Sequence, residues 1–364
     1  MKKTIEEIIN DGLVRPEKEA VSDFLFNIAS GKKSGWSTGF TSLDNYTGRI
    51  DRGQVWVIGG YTGTGKSYFI LNMIHRMLRF PKEERPKIAV FSTELSKVDY
   101  VLRYVFMQTG VFPLKFMHSP DSYYQTAREK ANQFFDDVNS NEFNIKIYGN
   151  ISSVEMVTEN LVGLRDSGNL PDIVFIDYIQ ELSAHSKVGE EDAMPIVAAA
   201  LKTLAQKLNI AVVAVSQVNN KAMDKTFKQN ESSLSPFSNG KKLSHMMHTG
   251  IVLSRKRKHS IRSYHLQADI VKARSGIESG VSFEIDGGYL LHEINYDRAR
   301  ELDMILDNFQ TPEEAEKAVL LNNIIGAGND SRGSARKVTP GLTREGQESF
   351  NELYGAMRYD SSEE

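Results

Sequence analysis

Eight consecutive residues, Gly60, Tyr61, Thr62, Gly63, Thr64, Gly65, Lys66 and Ser67, fit the spacing G-x-x-x-x-G-K-[ST]. Glycines let a backbone fold closely around a phosphate, and the N–H groups at the start of the following helix add positive potential. In that arrangement Lys66 reaches the terminal phosphates and the Ser67 hydroxyl can ligate Mg²⁺, so the stretch predicts a nucleotide site. Three more polar residues close apolar runs. Asp177 ends the strand-like run in PDIVFIDYIQ (Pro171 to Gln180), where a carboxylate beside a phosphate loop can hold Mg²⁺ through its water shell. Glu94 ends KIAVFSTE (Lys87 to Glu94) and is placed to orient an attacking water as general base. Gln217 follows a third run, and its neutral amide can hydrogen-bond the γ-phosphate and report its loss. Taken alone, Asp177 reads as a helix cap and Glu94 as a surface carboxylate; the phosphate loop is what decides for chemistry.

For these groups to meet, their strands must lie side by side and end at one edge of a sheet. From Gly35 to about Tyr289 short β-prone runs alternate with helical stretches, which argues an α/β fold with a mostly parallel central sheet flanked by helices. The expected strands are Val55 to Ile58, Ile88 to Ser92, Phe143 to Tyr148, Ile173 to Asp177, Ala211 to Ser216, Gly250 to Ser254 and Gln267 to Val271. A last pair, Val281 to Ile285 and Tyr289 to Glu293, is joined by Asp286-Gly287-Gly288, a hairpin signal.

Residues 1–33 read as two short linker helices, the second with a stripe of Val21, Phe24, Leu25 and Ile28 that packs on its own domain or docks on a neighbouring subunit. Residues 34–295 form the expected ATPase domain. Residues 296–364 read as an extension with a helix opened by Thr311-Pro312, a linker from Gly326 to Gly341 and an acidic end, which serves as solubilising sequence or docks a partner. No apolar run is long enough to span a membrane, and the carboxylates of MKKTIEEIIN interrupt any signal-peptide segment, so a cytoplasmic protein is expected. With no cysteine, thiolate metal sites, disulfides and thiol nucleophiles are excluded. The net charge of −3 neither supports nor excludes nucleic acid.

Beyond the phosphate loop, five segments carry a resemblance: STGFTSLDNYTG (Ser37 to Gly48), FSTEL around Glu94, FIDYIQ through Gln180, LKTLAQKLNIAVVAVSQVN (Leu201 to Asn219) and KARSG (Lys272 to Gly276). Together they resemble the RecA-like motor domain of DnaB-type replicative DNA helicases, the hexameric superfamily 4 group, over about seven tenths of the chain. The resemblance implies a RecA-like P-loop ATPase core, ATP and Mg²⁺ as cofactors, a homo-hexamer, and 5′ to 3′ translocation on single-stranded DNA. It further implies Glu94 as catalytic base, Lys66 and Ser67 on phosphate and Mg²⁺, Asp177 as the Mg²⁺ carboxylate and Gln217 as γ-phosphate sensor. Lys272 and Arg274 match a K-x-R pair that reaches the ATP site of the adjacent subunit, and Arg103 falls where the family has an arginine. Full-length members carry a helical N-terminal domain for primase, and only about 33 residues precede the motor here, so a short form suited to a phage replisome is expected, with primase, loader and polymerase as possible partners.

Lys221, Lys225, Lys228, Lys241 and Lys242 flank a Ser/Asn-rich stretch with few apolar residues, which suits a loop contacting DNA phosphates. A second run, Arg255 to Lys258 with Arg262, is an alternative; a solvated face is the ordinary reading of either. His245, Met246, Met247 and His248 read as surface or core filling rather than as metal ligands. The function expected is an ATP-dependent replicative helicase. Two rivals stay open: a RecA-like DNA-dependent ATPase of recombination or repair, and an ATP-controlled loader or adaptor.

Overall fold

The computed structural model describes residues 34–109, 120–140, 142–183, 190–218, 246–258, 261–286 and 289–307. The linker helices expected within 1–33, the lysines between 219 and 245, His245 and the extension beyond 307 lie outside the described residues.

The described residues build a nine-stranded sheet from β1 (Val55–Gly60), β2 (Ile88–Ser92), β3 (Ile145–Tyr148), β4 (Ile173–Asp177), β5 (Ala211–Gln217), β6 (Thr249–Ser254), β9 (His265–Ala273), β10 (Ser279–Ile285) and β11 (Leu291–Ile294), in the order β11-β10-β9-β6-β1-β5-β4-β2-β3. The six strands from β6 to β3 run parallel, whereas β9, β10 and β11 are antiparallel to their neighbours. β7 (Arg257–Lys258) and β8 (Ile261–Arg262) form a separate small hairpin between β6 and β9.

Each strand's sequence explains its place. Every residue of β1, β2 and β4 is buried, because helices cover both faces of the parallel part and the strand must be apolar on both. Burial alternates along β9 and β10, where one face is more open. The alternation of side chains across β1 divides the core in two. Trp56 and Ile58 point into a layer with α1 (Thr41–Thr47), α2 (Lys66–Met77), α3 (Lys97–Thr109) and α4 (Pro120–Asn139); Val55 and Val57 point into a layer with α5 (Val154–Asp166) and α6 (Glu190–Lys207).

Helix α2, which begins at the phosphate loop, is buried nearly all round and includes a buried Asn72. Asn72 is fully used: Nδ2 donates to the Tyr68 and Tyr289 carbonyls at 2.8 and 2.9 Å, and Oδ1 accepts from the Leu291 N–H at 2.9 Å. A paired polar group of this kind fixes α2 against the β10–β11 hairpin, where an unpaired one would cost stability. α1 is positioned at long range, since the Glu293 carboxylate accepts the Thr41 and Ser42 N–H groups at 2.9 and 2.7 Å. After β11 the chain continues as α7 (Tyr296–Asp307), with Ala299, Leu302 and Leu306 buried and Arg298 Nη2 paired to Glu284 at 2.5 Å.

Two outcomes test this packing. His75 lies beside α3, and its Nδ1 accepts from Arg79 Nη1 at 2.7 Å, so the fold needs the neutral ring. Burial and the charges of Arg79 and Arg76 push its pKa down from 6.5 to about 3. The unfolded chain therefore binds more protons below pH 6.5, and His75 contributes stability that is complete above that pH and is lost as pH falls toward 3, by at most about 1.4 kcal/mol per unit. Urea unfolding at pH 7.5 and pH 5 should show a shallower acid loss for His75→Gln than for the parent. Gly149, which follows β3, leaves no room for a side chain: an added Cβ would stand 2.5 Å from the Lys97 N and 2.9 Å from the Leu95 O. Gly149→Ala should cost about 1–3 kcal/mol in the same assay, because backbone atoms cannot move aside as a flexible side chain would.

Candidate nucleotide site

The parallel register brings the polar strand ends together. Ser92 pairs with Asp177 across β2 and β4, and Gly60 pairs with Gln217 across β1 and β5, so all four stand at the edge where the parallel strands end. The loop from Tyr61 to Gly65 closes on itself through the Thr64 N–H and hydroxyl, which both donate to the Tyr61 carbonyl, at 3.1 and 2.8 Å. Gly63 and Gly65 have φ of +72° and +109°, a region other residues avoid, so the loop's path into α2 depends on them.

Lys66 is buried and its Nζ donates to the carbonyls of Gly60 and Tyr61 at 2.8 and 2.9 Å. Burial lowers its pKa to about 8, against the opposing pull of Asp177 and Glu94. Asp177 is 5% exposed. Burial raises its pKa, and a hydrogen bond from the Ser67 hydroxyl with the charges of Arg103 and Lys66 counters that rise. Ser67 and Asp177 thus touch, as a pair sharing one cation requires. The phenol of Tyr100, wholly buried on α3, has no hydrogen-bond partner among the described residues and is close enough to feel the Asp177 charge. An orphaned polar atom beside a carboxylate–hydroxyl pair and an unneutralised ammonium is the chemistry of a phosphate and Mg²⁺ site, so the residues present fit both groups.

Glu94 sits on a pinned turn. The Thr93 N–H donates to the Asp177 carbonyl at 2.9 Å, and the Leu95 N–H donates to Ser92 Oγ at 3.0 Å. Between these anchors the Glu94 side chain is exposed and its charge reaches both Lys66 and Asp177. Gln180 fastens the ends of β4 and β5 together, with Nε2 donating to Ser216 Oγ at 2.8 Å and to the Gln217 carbonyl at 3.0 Å. Arg103 on α3 also belongs to the site, 6.0 Å from the Tyr68 ring and within electrostatic reach of Asp177.

Lys272 and Arg274 do not join this group. Lys272 pairs with Gly250 and Ala273 with Thr249, which in turn pairs with Trp56 near the start of β1. The Arg274 N–H donates to the His248 carbonyl, and His248 brackets Val55: its N–H donates to the Val55 carbonyl at 2.7 Å and its Nδ1 accepts the Val55 N–H at 3.0 Å. The pair therefore lies at the opposite edge of the sheet, about 13 Å from Gly60 along the strand. His248 is an edge clasp, and among the described residues no cluster of metal-binding side chains occurs. The five lysines expected to contact DNA lie outside the described residues.

Sequence reasoning missed Arg262. It stands in a basic run read as a possible DNA surface, yet its Nη2 donates to the Thr62 carbonyl at 3.0 Å. The signal was topological: β6 is parallel to β1 and adjacent to it, so the segment after β6 must emerge beside the loop after β1. Three other members of that run are engaged within the chain. Arg255 Nη2 donates to the Ser263 carbonyl at 2.6 Å, Lys256 pairs with the Asp307 carboxylate at 2.5 Å, and Lys258 Nζ donates to the Asp307 carbonyl at 2.5 Å.

Known proteins share this arrangement. The model of the DnaB-like helicase C terminal domain matches residues 35–290. The replicative DNA helicase DnaB of Helicobacter pylori strain J99 is 29% identical over 197 residues, which is 52% of this chain and 37% of that protein. The Geobacillus stearothermophilus DnaB is 25% identical over 199 residues, 52% of this chain and 40% of its own length. The match thus spans well under half the length of these relatives. Among solved structures, one isolated ATPase domain superposes with a TM-score of 0.62 at 20% identity, covering 78% of this chain and 99% of that one. A DnaB-like replicative helicase, solved for its interactions with primase, gives 0.61 at 20% identity over 76% of this chain and 66% of its own. At that identity the superpositions speak for the fold, a RecA-like α/β sheet; the family match, which takes in every strand from β1 to β10 and the whole phosphate edge, makes this chain a member of the DnaB-like helicase C-terminal domain family.

Proposed function

We propose that the protein is an ATP-dependent replicative DNA helicase, a ring-forming motor that moves 5′ to 3′ on single-stranded DNA in the cytoplasm. One observation carries the reading: Lys66, Ser67, Glu94, Asp177 and Gln217 share one edge of the sheet, while the two cations the family uses on ATP, Lys272 and Arg274, lie at the other. A subunit so built is half of an ATP site at each edge, and a ring of copies, six in this family, joins the halves.

In this reading Gly60 to Ser67 hold the nucleotide phosphates, with Lys66 on the terminal ones, and Ser67 and Asp177 hold Mg²⁺. When bound, the ion neutralises charge on the transferring phosphoryl group. Glu94 orients the attacking water and accepts its proton, which suits an exposed carboxylate on an anchored turn. The Gln217 amide contacts the γ-phosphate, and Gln180 fixes its backbone. Arg274 and Lys272 of the adjacent copy add positive charge where the transition state needs it, so hydrolysis depends on assembly. Residues 34–295 form the motor, 1–33 the linker to a neighbour and 296–364 an extension. Lys221, Lys225, Lys228, Lys241 and Lys242 contact the strand, and primase, loader or polymerase are the replisome partners. Each base-pair step opened costs about 1.4 kcal/mol, a load that repeated ATP hydrolysis can meet.

Strand displacement on a forked duplex with ATP and Mg²⁺ tests this directly. Unwinding is expected only with a 5′ tail, and Lys66→Ala should abolish it; hydrolysis stimulated by single-stranded DNA with no displacement on any fork would move the assignment to a recombination-type ATPase. Shared sites make a second prediction. Lys66→Ala and Arg274→Ala preparations should each be inactive in ATP hydrolysis, and subunits mixed before assembly should regain activity, because some interfaces then unite an intact loop with an intact arginine.

A further inference from the structure

The β7–β8 hairpin aims one cation, Arg262, at the phosphate loop, while Arg255, Lys256 and Lys258 beside it are engaged elsewhere. Arg262 rests directly on the loop: a Cβ added at Gly63 would lie 2.4 Å from its Nη1 and 2.8 Å from its Nη2. Its one hydrogen bond among the described residues goes from Nη2 to the Thr62 carbonyl, at 3.0 Å. No carboxylate of the described residues forms an ion pair with it, and the charges that reach it are the like charges of Arg255, Arg257 and Lys66. The hairpin cannot easily swing away. The Ser263 N–H donates to the Lys256 carbonyl at 2.8 Å at its base, and Lys256 and Lys258 are strapped to Asp307 at the end of α7.

A guanidinium held over a loop of N–H dipoles and near a buried ammonium is repelled by everything there except a carbonyl. An anion between the two cations reverses the sign of that interaction. Arginine also suits the task, because one N–H bound to Thr62 leaves the rest of a planar fork free for phosphate oxygens. We propose that Arg262 is a second phosphate-binding cation, supplied by the same subunit that supplies Lys66, and acting on the polyphosphate of the bound nucleotide. This inference rests on the reading of the loop as an ATP site. It differs from the role given to Lys272 and Arg274, which come from the neighbour. Gly63 gains a second reason to be glycine, since any side chain there would displace the guanidinium.

The test uses the full-length chain and two probes, a non-hydrolysable ATP analogue and inorganic tripolyphosphate, titrated against the parent, Lys66→Ala, Arg262→Gln and Arg262→Lys. Arg262→Gln should weaken both probes by a similar factor, about ten- to a hundredfold, as expected for one charge-assisted contact to phosphate. Arg262→Lys, which keeps the charge and loses the fork, should lose less. Parent-like binding of tripolyphosphate by Arg262→Gln would overturn the assignment. So would an Arg262→Lys protein as weak as the Gln variant with a ligand-free melting midpoint lowered to match, since the loss is then structural. A parent chain that binds neither probe would sink the ATP-site reading and this inference with it; loss on Lys66→Ala with none on Arg262→Gln would sink the inference alone.

Discussion

A buried ammonium that no carboxylate of the described residues touches governs the phosphate edge. Lys66 is tied to two backbone carbonyls, so its charge is oriented but not cancelled, and burial keeps water from screening it. Asp177, buried nearby, has the mirror problem and is relieved by a hydroxyl and by cations at a distance. Two desolvated charges of opposite sign hold each other in their ionised forms while each stays open to a ligand. The surrounding structure maintains that separation. Thr93 and Gln180 bolt the ends of β2, β4 and β5 together, so the gap between Lys66 and Asp177 is set by sheet spacing and not by side-chain rotamers.

How far the sequence speaks depends on what stabilises each element. The ranges of β2 and β4 agree residue for residue with expectation, because a strand buried on both faces must be apolar throughout and ends where polarity returns. β9 and β10 run two residues longer at their open ends, where alternation blurs the boundary. α1 was not legible: seven residues make a marginal helix alone, and its first N–H groups are capped by Glu293 from the far end of the sheet. α7 was not legible either, because it buries only a thin stripe, Ala299, Leu302 and Leu306, among charged residues.

At the site, the residues that end strands were readable since parallel topology forces strand ends into one place. Arg262 was not, because its meaning comes from where a loop emerges and not from what flanks it. A basic run looks alike whether it faces solvent, an internal carbonyl or a ligand. Arg255 illustrates the point: partly buried, with burial lowering its pKa to about 10, it serves to hold Ser263.

The strand order has a consequence for how the chain is made. β1, the first strand of the described residues to leave the ribosome, lies between β5 and β6, which follow it by more than 150 residues. Until those two strands are synthesised, the phosphate loop is anchored to a strand with two bare edges, and α1 waits longer still for Glu293. Contacts this distant in sequence make folding slow and leave unpaired edges exposed meanwhile. The edge that carries Lys66, Asp177 and Gln217 is thus complete only when most of the sheet has been translated.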